Sequence, residues 1–159
     1  RHLFSSRNLI KRSTFLAATS SYLQITPDSK RLYSAGGPTG EVHSLAVDGS
    51  IGIKLQELLY VEPDELAQAD KTRVALRYGS HGIDINLATK QAFVPHLGSN
   101  SIYMYDVLAN GGLNLVNKAE SFGNGKDGPR HVIFSEDGTT LYTVTEHSGF
   151  FALFTSFDD

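Results

Sequence analysis

The chain has 159 residues, of which 40% are hydrophobic and 19% are charged, and these proportions are ordinary for a globular protein. The formal net charge is −3 and no apolar run approaches the roughly 18 residues needed to span a membrane, so composition argues against nucleic-acid and membrane partners. Cysteine is absent, which excludes disulfide bonds and thiolate metal sites and suits a reducing cytoplasm.

The N-terminal region has an unusual composition. Its first 27 residues contain no Asp or Glu, while Arg1, Arg7, Lys11 and Arg12 lie among serines. Residues 1–19 are therefore either a strand region or a leader of the kind that directs proteins to mitochondria. We expect a cytoplasmic protein, with a mitochondrial one as the alternative.

Three segments align without a gap, and each has a short apolar run, a polar turn and a final aromatic residue. They are residues 22–33, 82–93 and 131–142. Turn residues such as Pro27-Asp28-Ser29 and Glu136-Asp137-Gly138 between the apolar runs are typical of β-hairpins. The final aromatic residues follow one another at intervals of 60 and 49 positions, and a period in this range with strand signals alone indicates β-propeller blades.

Further strand-like segments follow each hairpin, at residues 41–47, 54–61, 101–107, 113–121 and 150–154. Four short antiparallel strands per repeat result. We therefore predict a blade over residues 20–61, a second blade over 80–121 and an incomplete third over 128–155. An insertion at residues 62–79 explains the longer first interval, and its Pro-Asp-Glu-Leu start predicts one short helical turn.

The predicted fold class is an all-β propeller of which about three four-stranded antiparallel blades are present, whereas a complete propeller has about 4–8 blades. The chain thus reads as part of a larger propeller. Unpaired strands at its open blade edges would favour self-association. A compact β-sandwich with a similar number of strands is the alternative.

Two segments resemble the lactonase family of seven-bladed β-propellers. Residues 128–146, Gly-Pro-Arg-His-Val-Ile-Phe-Ser-Glu-Asp-Gly-Thr-Thr-Leu-Tyr-Thr-Val-Thr-Glu, carry the most specific part, and residues 81–106 begin with His-Gly-Ile-Asp-Ile. The family includes bacterial-type 6-phosphogluconolactonases and the eukaryotic 3-carboxy-cis,cis-muconate lactonizing enzyme. The His-Gly-Ile segment and its distance from Pro-Arg-His are more similar to the muconate enzyme.

The resemblance implies a site made of His81 and Glu146 as catalytic residues and Arg130 as the substrate-binding residue, with no metal and no cofactor. The family has a further active-site Arg in a later blade, and no residue of this sequence corresponds to it. His96 stands where many relatives carry Asp. Both departures bear on whether this chain is active by itself.

The repeat independently brings the same three residues together. His81 and Arg130 occupy one equivalent position before the first strand of successive blades, and first strands line the central channel of a propeller. Arg130 and Glu146 are equally far from the turn at Gly138, so they should be cross-strand neighbours with Cβ atoms about 4.5–5.5 Å apart. Strand alternation points His131 away from Arg130, and we expect it to pack between blades.

These residues suit a small anionic substrate, either a polycarboxylate or a sugar lactone. Arg130 offers a bidentate fork for a carboxylate, while a His or a Glu can transfer the proton that lactone formation requires. The leading hypothesis is a cofactor-independent enzyme that closes 3-carboxy-cis,cis-muconate to a muconolactone. One alternative is a 6-phosphogluconolactonase-like hydrolase, in which Arg130 binds phosphate and His81 activates water. The other is an inactive propeller fragment or interaction scaffold.

Overall fold

The structure is a computed structural model that describes residues 21–59, 79–120 and 127–155. Within these ranges the chain forms eleven strands in three antiparallel sheets. These same residues include no helix of the length and apolar character that a membrane span requires. The N-terminal region at 1–19 and the helical turn expected near the start of the insertion lie outside the described residues.

Each sheet is a blade whose strands follow one another in chain order. Blade 1 contains β1 (Tyr22–Ile25), β2 (Arg31–Ala35), β3 (Thr39–Leu45) and β4 (Ile51–Leu59). Blade 2 contains β5 (Asp84–Asn86), β6 (Gln91–His96), β7 (Ser101–Val107) and β8 (Leu113–Glu120). Blade 3 contains β9 (Pro129–Phe134), β10 (Thr140–Thr145) and β11 (Phe151–Thr155). The predicted all-β, partial-propeller fold is confirmed, and three separate sheets do not fit the sandwich alternative.

Local hydrogen bonds close the turns of the first and third hairpins. The Thr26 hydroxyl donates to Asp28 Oδ1 over 2.6 Å, and the Ser135 hydroxyl donates to Asp137 Oδ1 over the same distance. The bond from Thr26 is the main reason that the pKa of Asp28 lies below its ordinary value. Because hydroxyl and carboxylate groups two residues apart stabilise the turn by themselves, these turns follow directly from sequence.

Blades 1 and 2 bury an apolar interface between their facing sheets. Tyr33, Ala35 and Val42 of blade 1 pack into one core with residues of blade 2 that include Ile85 and Val94. The Tyr33 hydroxyl reaches across this interface and donates to the carbonyl oxygen of Gly111 over 2.6 Å. The buried hydroxyl thereby has a hydrogen-bond partner. The interface thus combines apolar packing with a directional bond that fixes how blade 1 is aligned against blade 2.

Blades 2 and 3 meet in a second core, in which Ile102, Val132 and Leu141 are buried. The rings of Phe93 and Phe134 pack edge to face at its border, with centroids 5.2 Å apart. An aromatic pair of this kind adds about 0.5–1.5 kcal/mol beyond the area it buries. This packing sets the position of β9, and β9 carries Arg130, the predicted substrate-binding residue.

The first strands of the three blades converge. The rings of Tyr22 in β1 and His131 in β9 lie with centroids 5.6 Å apart although blade 2 stands between their blades. Strands from non-adjacent blades can meet in this way only if they face a common axis. We therefore take β1, β5 and β9, the first strands of the three blades, as the strands that face the central channel.

Candidate functional site

Arg130, near the start of β9, forms an ion pair with Glu146, which directly follows β10. The Nε atom of Arg130 lies 2.8 Å from Oε2 of Glu146. The side chains meet although the strand register differs from the predicted one: Val144 pairs with His131 and Thr145 with Pro129, across a bulge. The two side chains remain 46% and 40% exposed, so a ligand can reach both. Since exposed ion pairs contribute little to stability, this pair is free to serve binding.

The backbone just before Arg130 is attached to two neighbouring loops. The amide of Gly128 donates to Asn100 Oδ1 over 2.8 Å, and its carbonyl oxygen accepts from the Glu146 amide over 2.8 Å. Gly128 has a φ of +66°, and a Cβ there would lie 2.5 Å from Cδ2 of His147. Both the conformation and the close approach require glycine, and together they hold Arg130 opposite Glu146.

His81 occupies the position in blade 2 that corresponds to Arg130 in blade 3. Only 7% of the residue is exposed. Its amide donates to the Pro95 carbonyl oxygen over 3.1 Å, and its own carbonyl oxygen accepts from the Ser21 hydroxyl over 3.5 Å. His81 is thus held by hydrogen bonds to both neighbouring segments and is almost fully buried, whereas Arg130 and Glu146 reach solvent. The chemical roles of the three residues remain predictions.

Burial and the charges of Arg130, His81 and Glu146 all shift the pKa of His131. Burial lowers its pKa below the ordinary value, the charges of Arg130 and His81 lower it further, and Glu146 opposes them. Its imidazole is therefore neutral at pH 7. The His131 ring lies against Tyr22 of blade 1, so it contacts another blade, and it also borders a cavity.

That cavity has a volume of about 420 Å³. Polar side chains of β1, β5 and β9 line one side, namely those of Tyr22, Gln24, Asp84 and His131. Apolar side chains of blade 3 line the other, and His81, Arg130 and Glu146 are not part of its lining. The Arg130–Glu146 pair is thus not part of this cavity, whose apolar side is the face of blade 3 that points away from blade 2.

Sequence reasoning missed Tyr22 and His131, although a signal for them was present. Tyr22, Gly82 and His131 are the first residues of the three aligned segments, just as His81 and Arg130 share the preceding position. Equivalent positions of successive first strands lie at one level around the channel. The repeat therefore places Tyr22 and His131 at one level, but their contact also depends on how the blades pack, which the repeat does not give.

Other histidines belong to structural contacts. The buried His43 lies with Nε2 2.7 Å from Oε2 of the buried Glu41. His96 stacks on Tyr103 with ring centroids 5.1 Å apart, and its Nδ1 accepts from the Ser99 amide over 3.0 Å. In the described stretches, no three His, Asp or Glu side chains group closely enough to hold a metal ion.

Comparison with known proteins agrees with this architecture. Residues 5–159 match the model of the family described as "Lactonase, 7-bladed beta-propeller". The chain is 26% identical over 139 residues to Muconate cycloisomerase 1 of Cutaneotrichosporon cutaneum, covering 85% of this chain and 37% of that protein. It is 26% identical over 133 residues to a 6-phosphogluconolactonase of Pectobacterium carotovorum, covering 82% of this chain and 35% of that protein.

A solved structure shows the same fold. The periplasmic gluconolactonase of Pseudomonas aeruginosa superposes with a TM-score of 0.64 at 21% identity, covering 88% of this chain and 39% of the other. The chain spans little more than a third of the length of these relatives. Fewer than half of the blades of such a propeller are therefore present in these residues.

Proposed function

Because this chain belongs to the lactonase family of seven-bladed β-propellers, we propose that it supplies part of the active site of an enzyme that closes 3-carboxy-cis,cis-muconate to a muconolactone. The exposed Arg130–Glu146 pair carries the proposal, since a carboxylate can reach its guanidinium from solvent. Similarity to Muconate cycloisomerase 1 supports this substrate class.

The proposed chemistry forms one carbon–oxygen bond. A substrate carboxylate oxygen adds to one carbon of the conjugated double bond, and the neighbouring carbon takes up a proton, so that the double bond becomes a single bond. Arg130 uses Nε for Glu146, and its guanidinium carries four further N–H groups with which it holds a substrate carboxylate. His81 and Glu146 are the proposed proton-transfer groups, because imidazole and carboxyl groups can both be tuned to exchange protons near neutral pH.

Similarity to a 6-phosphogluconolactonase favours a second candidate function. In that reaction water adds to the lactone carbonyl carbon, the ring carbon–oxygen bond breaks, and the ring oxygen leaves as a hydroxyl. Arg130 would hold the phosphate and His81 would take a proton from the water. Both functions use a small anion that is a lactone either before or after the reaction.

A parallel assay separates the two functions. The full-length protein that contains these residues should bleach the diene absorbance of 3-carboxy-cis,cis-muconate, and EDTA should leave the rate unchanged. Hydrolysis of 6-phosphogluconolactone without any effect on the muconate would replace the first function by the second. Turnover of neither compound would leave an interaction scaffold as the better hypothesis.

The substitution Arg130→Lys tests the role of the guanidinium. An ammonium group cannot form the bidentate fork, and each charge-assisted hydrogen bond that is lost costs about 1.5–3 kcal/mol. With about 1.4 kcal/mol per factor of ten, kcat/KM should fall at least tenfold, while the melting temperature should change little because the pair is exposed.

Arg31→Lys is the matched control. Arg31 donates from Nε to the Asn110 carbonyl oxygen over 3.3 Å, on blade 1 and away from the Arg130–Glu146 pair. This variant should keep the kcat/KM of the wild type. If Arg130→Lys lowered the melting temperature and left kcat/KM intact, the ion pair would be structural and the proposed role would be wrong.

A further inference from the structure

The turn between β6 and β7 is bonded to the segment that carries His81. The amide of Leu97 donates to the Gly79 carbonyl oxygen over 2.9 Å, and the amide of His81 donates to the Pro95 carbonyl oxygen over 3.1 Å. The amide of Asn100 closes the turn by donating to the Leu97 carbonyl oxygen over 3.3 Å. His81 and this turn therefore belong to one hydrogen-bonded unit of blade 2.

The other end of this turn is bonded to the segment that carries Arg130. The side-chain atom Oδ1 of Asn100 accepts the amide of Gly128 over 2.8 Å. Gly128 lies two residues before Arg130, and its carbonyl oxygen accepts the amide of Glu146 over 2.8 Å. The Leu97 side chain lies against the same backbone, since a Cβ at Gly128 would stand 2.9 Å from Cδ1 of Leu97. The turn thus connects blade 2 to the Arg130–Glu146 pair of blade 3.

The backbone of Asn100 has a conformation that glycine adopts more readily. Its φ is +52°, in the left-handed region, which asparagine tolerates better than most other residues do. A glycine at this position would keep the shape of the turn and lose the acceptor for the Gly128 amide. The half-buried side chain of Asn100 therefore acts on blade 3 and is not needed for the conformation of its own turn.

We propose that Asn100 is a positioning residue for the reaction, and that its side chain sets the place of Arg130 and Glu146 relative to His81. The inference rests on the proposed function, because it aligns the anion-binding and proton-transfer groups named there. Asn100 acts on the substrate only through the pair that the Gly128 backbone holds. A displacement of about 1 Å at such groups can lower the rate about a hundredfold, so one bond of this kind matters for catalysis.

Asn100→Gly in the full-length protein tests this role, because it removes the acceptor and keeps the positive φ. Calorimetric titration with tricarballylate, a tricarboxylate, reports on anion binding at Arg130 and needs no turnover. The dissociation constant should rise about threefold to tenfold, the loss expected for one hydrogen bond. In an Arg130→Lys background the same substitution should change it by less than about twofold, because residues that act through each other are not additive. A merely structural role would give the same loss in both backgrounds.

The variant Asn100→Asp keeps an oxygen acceptor for the Gly128 amide, so it should bind tricarballylate more tightly than Asn100→Gly does. Ser29→Gly is the matched control, because Ser29 has a φ of +57° in an exposed turn of blade 1, and it should leave the affinity unchanged. Each titration is run well below the melting temperature of the variant.

Four results would overturn the inference: wild-type affinity in Asn100→Gly, an equal loss in the Arg130→Lys background, no recovery in Asn100→Asp, or a wild type that does not bind tricarballylate. Turnover of the two substrates named above is measured separately. The expected pattern of binding without turnover of either substrate would support the role of Asn100 in placing Arg130 and overturn the proposed function alone.

Discussion

At the scale of single residues, the position of Arg130 depends on the backbone of Gly128. That glycine has a φ of +66° and hydrogen-bonds the side chain of Asn100 and the amide of Glu146. It therefore links the strand that carries Arg130 to the loop that carries Glu146. A side chain at this position would disturb the geometry of the ion pair as well as the backbone.

Gly128→Ala should destabilise the protein more than Gly149→Ala. Both residues have positive φ, which costs an L-residue about 1–2 kcal/mol, but a Cβ at Gly149 meets nothing within 4 Å. At Gly128 the new methyl would approach Cδ2 of His147 to 2.5 Å, and overpacking of this kind costs about 1–3 kcal/mol more. Urea denaturation measures the difference in the free energy of unfolding. Equal losses in the two variants would show that the loop at His147 adjusts to the new methyl group without further loss of stability.

The Arg130–Glu146 pair could be predicted from sequence because its two partners belong to one hairpin. Counting from the turn brings both residues to the same end of the hairpin, but the register is offset from Gly138 by one position and shifts again between Val144 and Thr145. The contact of Tyr22 with His131 joins blades 1 and 3, and its geometry depends on the absence of a side chain at Gly82. Alternation along β9 shows which way His131 points relative to its neighbours, but not what it meets there.

At the scale of strands, Asp84 connects β5 to β9. Its Oδ2 accepts the amide of Phe134 over 2.8 Å and its Oδ1 accepts the amide of Ile85 over 3.0 Å. Burial raises the pKa of this carboxyl, and the two amide bonds oppose that effect. A side chain of β5 thus supplies an acceptor to the end of β9, which aligns the inner strands of blades 2 and 3.

Asp84→Asn should therefore lower the free energy of unfolding by about 1–3 kcal/mol, since the amide group presents a donor to one of two backbone donors. Asp106→Asn, at an exposed position of β7, is the control and should change stability by less than about 0.5 kcal/mol. Chemical denaturation of both variants provides the comparison. Equal stability of Asp84→Asn and wild type would mean that water replaces the lost acceptor.

At the scale of the whole molecule, the face of blade 3 that points away from blade 2 is apolar and exposed. Ile133 is 63% exposed and Phe151 87% exposed, while the opposite face of the same blade buries Val132 and Leu141. A blade that is apolar on both faces is built to lie between two others. In the 159-residue chain by itself, this surface is available to a second copy.

The isolated 159-residue chain should therefore self-associate, and Phe151→Glu should reduce the association. A charge at the centre of an apolar contact opposes its desolvation. Val47→Glu, at a fully exposed position in the turn after β3, adds the same charge elsewhere and should leave association unchanged. Sedimentation velocity at several concentrations measures the effect, and a monomeric wild-type chain at all concentrations would contradict the prediction.

The sequence by itself determined the strands, the turns and the blade repeat of this protein, because alternation and turn chemistry act over a few neighbouring residues. The Thr26–Asp28 turn, and the placement of Arg130 and Glu146 at the same end of one hairpin, follow from such short-range rules. Only the tertiary structure decided that Tyr22 and His131 meet, because that contact depends on how blades rotate about a shared axis. Packing between blades sets this rotation, and no local pattern of residues encodes it.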